Sequence, residues 1–286
     1  MLRCGVIIFP TDKTIQPVEL ARAVESRGFD SLYLPEHTHM PVASKSPFME
    51  GDIPDFYRRT HDPFVALSAC AAVTERITLA TGICLVPQRD PITLAKEIAS
   101  LDVVSNGRVL LGVGAGWNRE ELAHHGVEFK DRWRVLKEKI HVMKTIWNEH
   151  EPSFDGEFVK FDPMWSYPKP VQKGGPKIWI GANSKWVPDR IADYADGWMP
   201  IRGRPGGATV EMVREACEKR GRDFREIDLA MFFAPLEEAP IVEAANDGFS
   251  EMIFPLPAED RDTVLRKLDE VAEFVPKIRD LEAKKD

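Results

Sequence analysis

The segment "ITLATGICLVPQRDPITLAKEIASLDVVSNGRVLLGVG" (77–114) decides the fold of this chain. Two apolar, β-branched runs, 77–86 and 108–114, predict buried strands. Between them, residues 90–107 show a helical pattern that begins at Asp-Pro and ends at Asn-Gly. A strand, a helix and a second strand in this order form a βαβ unit, in which the two strands are parallel. The segment therefore predicts a parallel sheet covered by helices.

The same alternation continues in both directions along the chain. The other predicted strands are 4–9, 31–36, 177–182, 197–201, 227–234 and 250–256. The other predicted helices are 18–28, 62–74, 133–147, 185–195, 207–221, 238–247 and 259–275. Eight alternating units in 286 residues fit a closed (β/α)8 TIM barrel better than an open doubly wound sheet. We therefore predict a single α/β barrel domain over residues 1–286, with its active site at the carboxyl ends of the strands.

Residues 150–176 interrupt this rhythm. A turn at Asp155-Gly156 predicts a β-hairpin, and a proline-rich return follows it. We interpret this segment as an insertion after the fourth βα unit.

Charge and hydropathy exclude several classes of protein. The chain has 38 basic and 46 acidic residues and a net charge of −8, which gives no basic surface for nucleic acid. No stretch approaches the roughly 18 apolar residues of a membrane span, and the apolar run at the N-terminus is too short for a signal peptide. The cysteines are scattered without a CxxC pair, so we expect reduced packing residues at Cys4, Cys70, Cys84 and Cys217. A cytoplasmic protein is expected.

The second predicted strand, in "FDSLYLPEHTHMP" (29–41), ends in Glu36, His37 and His39. A His-x-His pair at a barrel strand end can bind Zn²⁺, as in amidohydrolases, so a metal-dependent barrel hydrolase is one hypothesis. That class needs further ligands from later strands, whereas all seven histidines fall at or before residue 150. We therefore expect no metal.

The stretch "GVGAGW" (112–117) follows the fourth strand and is similar to a dinucleotide fingerprint. The spacing fails, because the required third glycine falls on Trp117 or on Arg119. We interpret the stretch as a strand-end loop whose glycines let the backbone approach a flat ligand. The competing interpretation is an ordinary loop with turn glycines.

The stretch "KIWIGANSKWVPDRIADYADGW" (177–198) contains a strand, a Gly-Ala-Asn-Ser turn and a helix. Ser184 is a candidate N-cap, and the backbone N–H groups of 183–185 at a helix N-terminus could bind an anion. A cofactor that carries a phosphate would fit there.

Together these stretches resemble the luciferase-like monooxygenase superfamily, and within it the oxidoreductases that depend on the deazaflavin coenzyme F420. The resemblance covers most of residues 28–200. Its matching stretches are "GFDSLYLPEH", "RITLATGICLVPQRDPITLAKEIASLDVVSNGRVLLGVGAGWNREE", "FDGEFVKFDPMWSYPKPVQ" and "PKIWIGANSKWVPDRIADYADGW".

The resemblance implies roles for residues in several strand-end loops. His37 matches the histidine that lies beside the deazaflavin ring as an acid/base or polarising group, and Glu36 would orient it. Gly82-Ile83 matches a bulge where relatives hold a non-proline cis peptide against the ring, while Asn183 and Ser184 match the phosphate loop. The implied cofactor-binding residues are His37, Thr81, Gly82, Ile83, Gly114, Ala115, Gly116, Trp117, Gly181, Ala182, Asn183 and Ser184.

Two further expectations follow from the resemblance. Trp117 stands where the sugar-phosphate dehydrogenases of the family have a glutamate, which argues against a sugar-phosphate substrate. F420 also carries an acidic oligoglutamate tail, so basic groups are expected at the mouth of the site. The candidates are Lys45, Arg58, Arg59 and Arg89.

The expected function is hydride transfer between F420 and a small or medium organic substrate, with His37 and Glu36 as the catalytic residues. Two further hypotheses are an FMN-dependent monooxygenase of the same superfamily and a non-enzymatic member that stores the cofactor. A homodimer is expected, with no nucleic-acid or membrane partner.

Overall fold

The computed structural model describes residues 2–45, 52–201 and 207–283. Its strands are β1 (Arg3–Ile7), β2 (Ser31–Leu34), β3 (Thr78–Cys84), β4 (Val109–Val113), β5 (Phe154–Asp155), β6 (Lys160–Phe161), β7 (Ile178–Ile180), β8 (Gly197–Trp198), β9 (Asp228–Phe232) and β10 (Glu251–Pro255). Its helices are α1 (Pro17–Ser26), α2 (Asp55–Arg59), α3 (Pro63–Ala71), α4 (Pro91–Val104), α5 (Arg119–His124), α6 (Arg132–Asn148), α7 (Val187–Tyr194), α8 (Val210–Lys219), α9 (Glu238–Asn246) and α10 (Arg261–Ala283).

Eight of the described strands close into a barrel. The order around the barrel is β1, β10, β9, β8, β7, β4, β3, β2, and every pair of neighbours is parallel. This confirms the predicted (β/α)8 TIM barrel. The predicted strand 197–201 is shorter than expected, since β8 ends at Trp198 and only Ile201 forms a further bridge, to Phe232.

Two large apolar cores lie on the two sides of the barrel strands. The larger core lies between the strands and the helices, and the cysteines belong to it as free, buried side chains. A smaller core fills the barrel interior with Ile7, Tyr33, Ala80, Leu110, Trp179, Met199, Ala230, Phe232 and Ile253.

The two Asp-Pro helix starts are confirmed by hydrogen bonds to the aspartates. Asp90 accepts from Thr93 N, and Asp62 accepts from Phe64 N and Val65 N. None of the helices in the described ranges is both long and apolar enough to cross a bilayer.

The insertion after the fourth unit forms the predicted hairpin. Strands β5 and β6 pair antiparallel, with Phe154 opposite Phe161 and Asp155 opposite Lys160. Sequence periodicity did not predict α2 and α5, because helices of five and six residues are too short to show a helical period. Both follow barrel strands at the carboxyl end, and both contribute side chains to the site described next.

Candidate active site

His37 lies three residues beyond the end of β2, at the carboxyl face of the barrel. Its side chain is buried, and its Nδ1 is 3.0 Å from Oε2 and 3.1 Å from Oε1 of Glu121. An ionised carboxylate only accepts hydrogen bonds, so Nδ1 carries the proton that faces Glu121. The second ring nitrogen, Nε2, is then the one that can exchange a proton with a substrate.

Glu121 is positioned by the start of α5. Asn118 caps this helix, and its Oδ1 accepts a hydrogen bond of 3.0 Å from the backbone N–H of Glu121. The Glu121 carboxylate is fully buried. A buried carboxylate needs hydrogen-bond donors, and the His37 ring supplies one. The α5 cap and the burial of Glu121 therefore hold the His37–Glu121 pair in place.

Glu36 does not orient His37, contrary to the expectation from the sequence. Its carboxylate accepts 2.6 Å from Leu85 N and 2.5 Å from Nε of Arg89. The side chains of Glu36 and His37 therefore reach different partners, Arg89 and Glu121. Burial acts to lower the pKa of Arg89, but the negative charge of Glu36 and other nearby groups raises it above its ordinary value. Glu36 and Arg89 thus form a buried ion pair.

Thr81, Gly82 and Ile83 lie where β3 reaches the mouth of the barrel. The Gly82-Ile83 peptide bond is cis, as the resemblance implied. Leu34 of β2 is in register with Thr81, so this segment neighbours the chain that leads to His37. A β-carbon at position 82 would lie 3.1–3.2 Å from side-chain atoms of Tyr33, Ile7 and Phe232, so a larger residue fits only if these side chains move.

The glycines of the next two strand-end loops make room for the Ile83 side chain. A β-carbon on Gly114 would lie 1.9 Å from Cδ1 of Ile83, and one on Gly181 would lie 2.5 Å from its Cγ2. Gly116 has a φ of +82°, a conformation that favours glycine, and is followed by Trp117. The structure therefore places Thr81, Gly82, Ile83, Gly114 and Gly181 together.

Ser184 is not the N-cap that we predicted for α7. The cap residue is Trp186, without a side-chain hydrogen bond, and the carbonyl of Ser184 accepts from Val187 N at 2.9 Å. A tight turn at 184–187 therefore precedes the helix and removes Ser184 from the cap position. Asn183 donates from Nδ2 to the carbonyl of Ile201, and its buried Oδ1 has no partner in the described chain.

Three arginines gather at the starts of α5, α6 and α7, and we call Arg119, Arg132 and Arg190 the arginine cluster. The guanidinium carbons of Arg119 and Arg132 lie 4.5 Å and 3.7 Å from the ring centroid of Phe129. That of Arg190 lies 3.9 Å from the Trp133 ring. Buried donors of two of these arginines, Nε of Arg132 and Nη1 of Arg190, have no hydrogen-bond partner among the described residues.

The arginine cluster makes no ion pair within the part of the chain that the structure describes. Burial, and then the positive charges of Arg190 and Arg119, lower the pKa of Arg132. Asp189, beside Arg190 in sequence, instead pairs with Arg220 at 2.8 Å. Buried guanidinium donors without a partner are suited to bind an anion. Both predicted cofactor loops are followed along the chain by a member of the cluster, since Arg119 comes shortly after Trp117 and Arg190 lies in the helix after Ser184.

The basic groups expected at the mouth are mostly neutralised. Arg58 and Arg59 pair with Asp55, Arg59 also pairs with Asp12, and hydrogen bonds from Arg59 are the main cause that lowers the pKa of Asp55 to about 2. Arg89 pairs with Glu36, Asp62 and Glu97. Lys45 is exposed. The pairs with Asp55 are local to α2, whereas the pairs of Arg89 depend on the tertiary structure and cannot be read from the sequence.

His39 belongs to a separate group, the histidine cluster of His39, His124 and His125. Nε2 of His39 is 2.8 Å from Nδ1 of His124, and Thr38 Oγ1 bonds both His39 and His125. His37 instead contacts Glu121, so the His-x-His pair does not converge on one point. Over the described ranges, no group of three or more His, Cys, Asp or Glu side chains is arranged to hold a metal ion.

The sequence reasoning missed Glu121 and the arginine cluster. Glu121 had a weak signal, because it follows an Asn-capped turn directly after the "GVGAGW" loop. Arg132 and Arg190 lie in amphipathic helices, where a charged residue is ordinarily read as solvent-facing. Only the packing of α6 against α7 shows that their donors are buried.

Known proteins are similar to this chain along most of its length. The family model for luciferase-like monooxygenases matches residues 13–279. An uncharacterized protein of Mycobacterium tuberculosis is 40% identical over 278 residues, which are 94% of this chain and 96% of that protein. The F420-dependent glucose-6-phosphate dehydrogenase of Gordonia bronchialis is 30% identical over 223 residues, 74% of this chain but 61% of that enzyme.

A solved structure shares the fold. The coenzyme F420-dependent tetrahydromethanopterin reductase from Methanopyrus kandleri superposes with a TM-score of 0.73 and 16% identity, covering 97% of this chain and 99% of that chain. At this identity the likeness concerns the barrel alone. The family model, in contrast, spans nearly the whole sequence, including β2, β3 and the loops around His37 and Gly82. The chain therefore belongs to the luciferase-like monooxygenase family.

Proposed function

We propose that this protein is an oxidoreductase that transfers a hydride between coenzyme F420 and a small or medium organic substrate. The observation that carries the proposal is the buried His37–Glu121 pair at the carboxyl end of β2, next to the Thr81–Ile83 segment of β3. The similarity to an F420-dependent glucose-6-phosphate dehydrogenase supports the choice of cofactor.

The residues present fit a cofactor with a flat ring and an anionic tail. Gly82, Gly114 and Gly181 keep the strand-end backbone free of side chains around Ile83, which suits a flat ring. The unpartnered Oδ1 of Asn183 and the unpartnered donors of Arg132 and Arg190 suit a polar, negatively charged tail. We infer that the arginine cluster binds this tail, in place of the neutralised Arg58, Arg59 and Arg89.

When bound, F420 would supply or accept the hydride. Residues of the chain itself transfer the proton. Glu121 holds the Nδ1–H of His37, which fixes the ring orientation and leaves Nε2 to give a proton to the substrate or to take one from it. Burial of His37 limits competition from water at this nitrogen.

An FMN-dependent monooxygenase is the second candidate, because the matching family is named for monooxygenases. Both cofactors carry a phosphate, but only F420 adds carboxylates. The positive charge of three arginines is more than one phosphate requires, and this favours the more negatively charged F420.

Titration of the purified protein with F420, FMN and the deazaflavin nucleoside without its tail, followed by tryptophan fluorescence, tests the proposal. We expect F420 to bind at least tenfold more tightly than either comparator, a difference of about 1.4 kcal/mol. Arg190→Gln should remove most of this advantage. Arg134→Gln is the matched control, because Arg134 is paired with Asp131 and Glu157 on the exposed face of α6. Tighter binding of FMN would assign the chain to the monooxygenases instead.

A further inference from the structure

Four aromatic side chains form a continuous group beside His37, and we call Phe9, Phe56, Tyr57 and Trp117 the aromatic cluster. The ring centroids of Phe9 lie 4.7 Å from Phe56 and 4.9 Å from Tyr57. Tyr57 lies 5.2 Å from His37, and Trp117 lies 5.7 Å from His37 and 6.1 Å from Tyr57. All four rings are partly exposed, unlike the aromatic residues of the barrel interior.

Three rings of the aromatic cluster lie away from the segments that fit the cofactor, while the fourth, Trp117, directly follows Gly116 in the loop after β4. Phe9 follows β1, and Phe56 and Tyr57 lie on α2, which follows β2. The glycines that fit the cofactor ring follow or belong to β3, β4 and β7, on the other side of His37 around the barrel. His37 therefore lies between a surface suited to the cofactor and an aromatic surface. A substrate bound on the aromatic surface would lie close enough to exchange a proton with Nε2 of His37.

The charges next to the aromatic cluster are balanced within the described chain. Arg58 and Arg59, which directly follow Tyr57, pair with Asp55, and Lys13 also contacts Asp55 at 3.3 Å. These cations would have to break their pairs to bind a phosphate or carboxylate on a substrate. An uncharged ring, in contrast, would bury apolar area against four side chains without breaking an ion pair.

We propose that the aromatic cluster is the substrate site and that the substrate is a neutral molecule with an apolar ring system. This inference rests on the proposed hydride transfer, because it places the ring next to the proton-exchanging nitrogen of His37. It assigns specificity to Phe9 and Phe56, which the sequence did not indicate. Stacked or edge-on rings at 4.5–7 Å, the spacing that aromatic pairs prefer, would fit this surface.

The test measures binding of three probes to the full chain, alone and with F420. The probes are 2-naphthaldehyde, a neutral ring compound; decanal, a neutral chain of similar size; and glucose 6-phosphate, a charged sugar. Ligand-detected NMR and calorimetry give the Kd of each. We expect 2-naphthaldehyde to bind at least ~10-fold more tightly than either comparator, since only it can stack on the rings.

Variants of Phe56 test whether the ring of 2-naphthaldehyde binds to the aromatic cluster. Phe56→Ala and Phe56→Leu should each weaken 2-naphthaldehyde binding by ~10-fold, because leucine keeps apolar volume but cannot stack. The Kd of F420 should stay within about threefold. Phe158→Ala, on the exposed hairpin of the insertion, is the control and should change neither Kd. Circular dichroism melting curves confirm that each variant folds.

Three results would overturn the proposal: equal or tighter binding of glucose 6-phosphate or decanal, no detectable binding of 2-naphthaldehyde, or a loss of F420 affinity in the Phe56 variants. The last result would assign the aromatic cluster to the cofactor. Failure of the proposed cofactor itself is distinguishable, because F420 would then not bind the wild-type chain, while the probe preference is still measured without it.

Discussion

His37 and Glu121 are 84 positions apart in the sequence, yet Nδ1 of His37 lies 3.0 Å from Oε2 of Glu121. The barrel brings them together because the loop after β2 and helix α5 both lie at its carboxyl face. A histidine that hydrogen-bonds a buried carboxylate is held in one tautomer and one orientation. The pair gives the site its acid/base group.

Replacing His37 tests its role in chemistry. His37→Ala should lower turnover of the substrate by roughly 100-fold, because a positioned proton donor acts on the transition state, while the Kd of F420 changes by less than about tenfold. Steady-state kinetics and fluorescence titration measure the two quantities. His39→Ala is the comparison and should be milder, since His39 contacts His124 and Thr38 instead. Equal losses at both positions, restored by added Zn²⁺, would support a metal site.

Glu121 should act through His37. Glu121→Gln keeps the shape of the side chain but removes its negative charge, so we expect kcat to fall by about tenfold while the KM of the substrate changes by less than about twofold. Glu120→Gln is the matched control, one residue away on the exposed side of α5. A rise in KM with an unchanged kcat in Glu121→Gln would show that this carboxylate does not act through the histidine.

Glu36 should matter for stability more than for chemistry. Glu36→Gln removes one of the three carboxylates that pair with Arg89, and losing a hydrogen bond to a charged group costs about 1.5–3 kcal/mol. Urea unfolding curves measure the free energy of unfolding. Lys13→Gln breaks an exposed pair with Asp55 and should cost less than about 1 kcal/mol. A stable Glu36→Gln variant that has lost turnover would restore Glu36 as a catalytic residue.

The position of Ile83 depends on the absence of a side chain at Gly114. Gly114→Ala places a β-carbon 1.9 Å from Cδ1 of Ile83, so Ile83 must move, and we expect F420 binding to weaken by about tenfold. Ile83→Val removes that Cδ1 atom. The double variant Gly114→Ala/Ile83→Val should therefore recover most of the affinity, whereas strictly additive losses in the double-mutant cycle would contradict a direct contact.

Protonation of His125 should make the fold sensitive to acid. Burial, followed by the nearby charge of His39, lowers the pKa of His125. In the unfolded chain the imidazole takes up its proton near pH 6.5, whereas the folded chain does so only at lower pH. The unfolded state thus binds more protons in this interval, and the free energy of unfolding falls as the pH drops below about 6.5.

The variant His125→Gln separates this contribution from other acid effects. Melting temperatures measured from about pH 7.5 to about pH 5.5 should fall less steeply in His125→Gln than in the wild type. His150→Gln, at an exposed histidine, is the control. The same slope in His125→Gln as in the wild type would show that this imidazole does not carry the effect.

Local sequence was sufficient for the barrel. Alternating apolar strands and amphipathic helices, Asp-Pro helix starts at Asp62 and Asp90, and the Asp155-Gly156 turn are signals carried by neighbouring residues. Burial of one face or both faces of an element leaves a period in the sequence, so most elements with enough residues are predicted with nearly the right bounds. One exception is α10, which continues through Pro276 to Ala283, beyond the predicted end at residue 275. The resemblance added the cis bond at Gly82-Ile83, which no local pattern would have indicated.

Tertiary structure alone decided which side chains meet. Glu121, not Glu36, contacts His37, and the sequence did not indicate this contact because α5 is too short to leave a period. Arg132 and Arg190 each bury one donor where α6 meets α7, and Arg89 is neutralised by carboxylates from other parts of the chain. Arg58 and Arg59, in contrast, pair with Asp55 of their own helix. Contacts between distant residues depend on how strand ends and helices come together, and that arrangement has no counterpart in the spacing of residues along the chain.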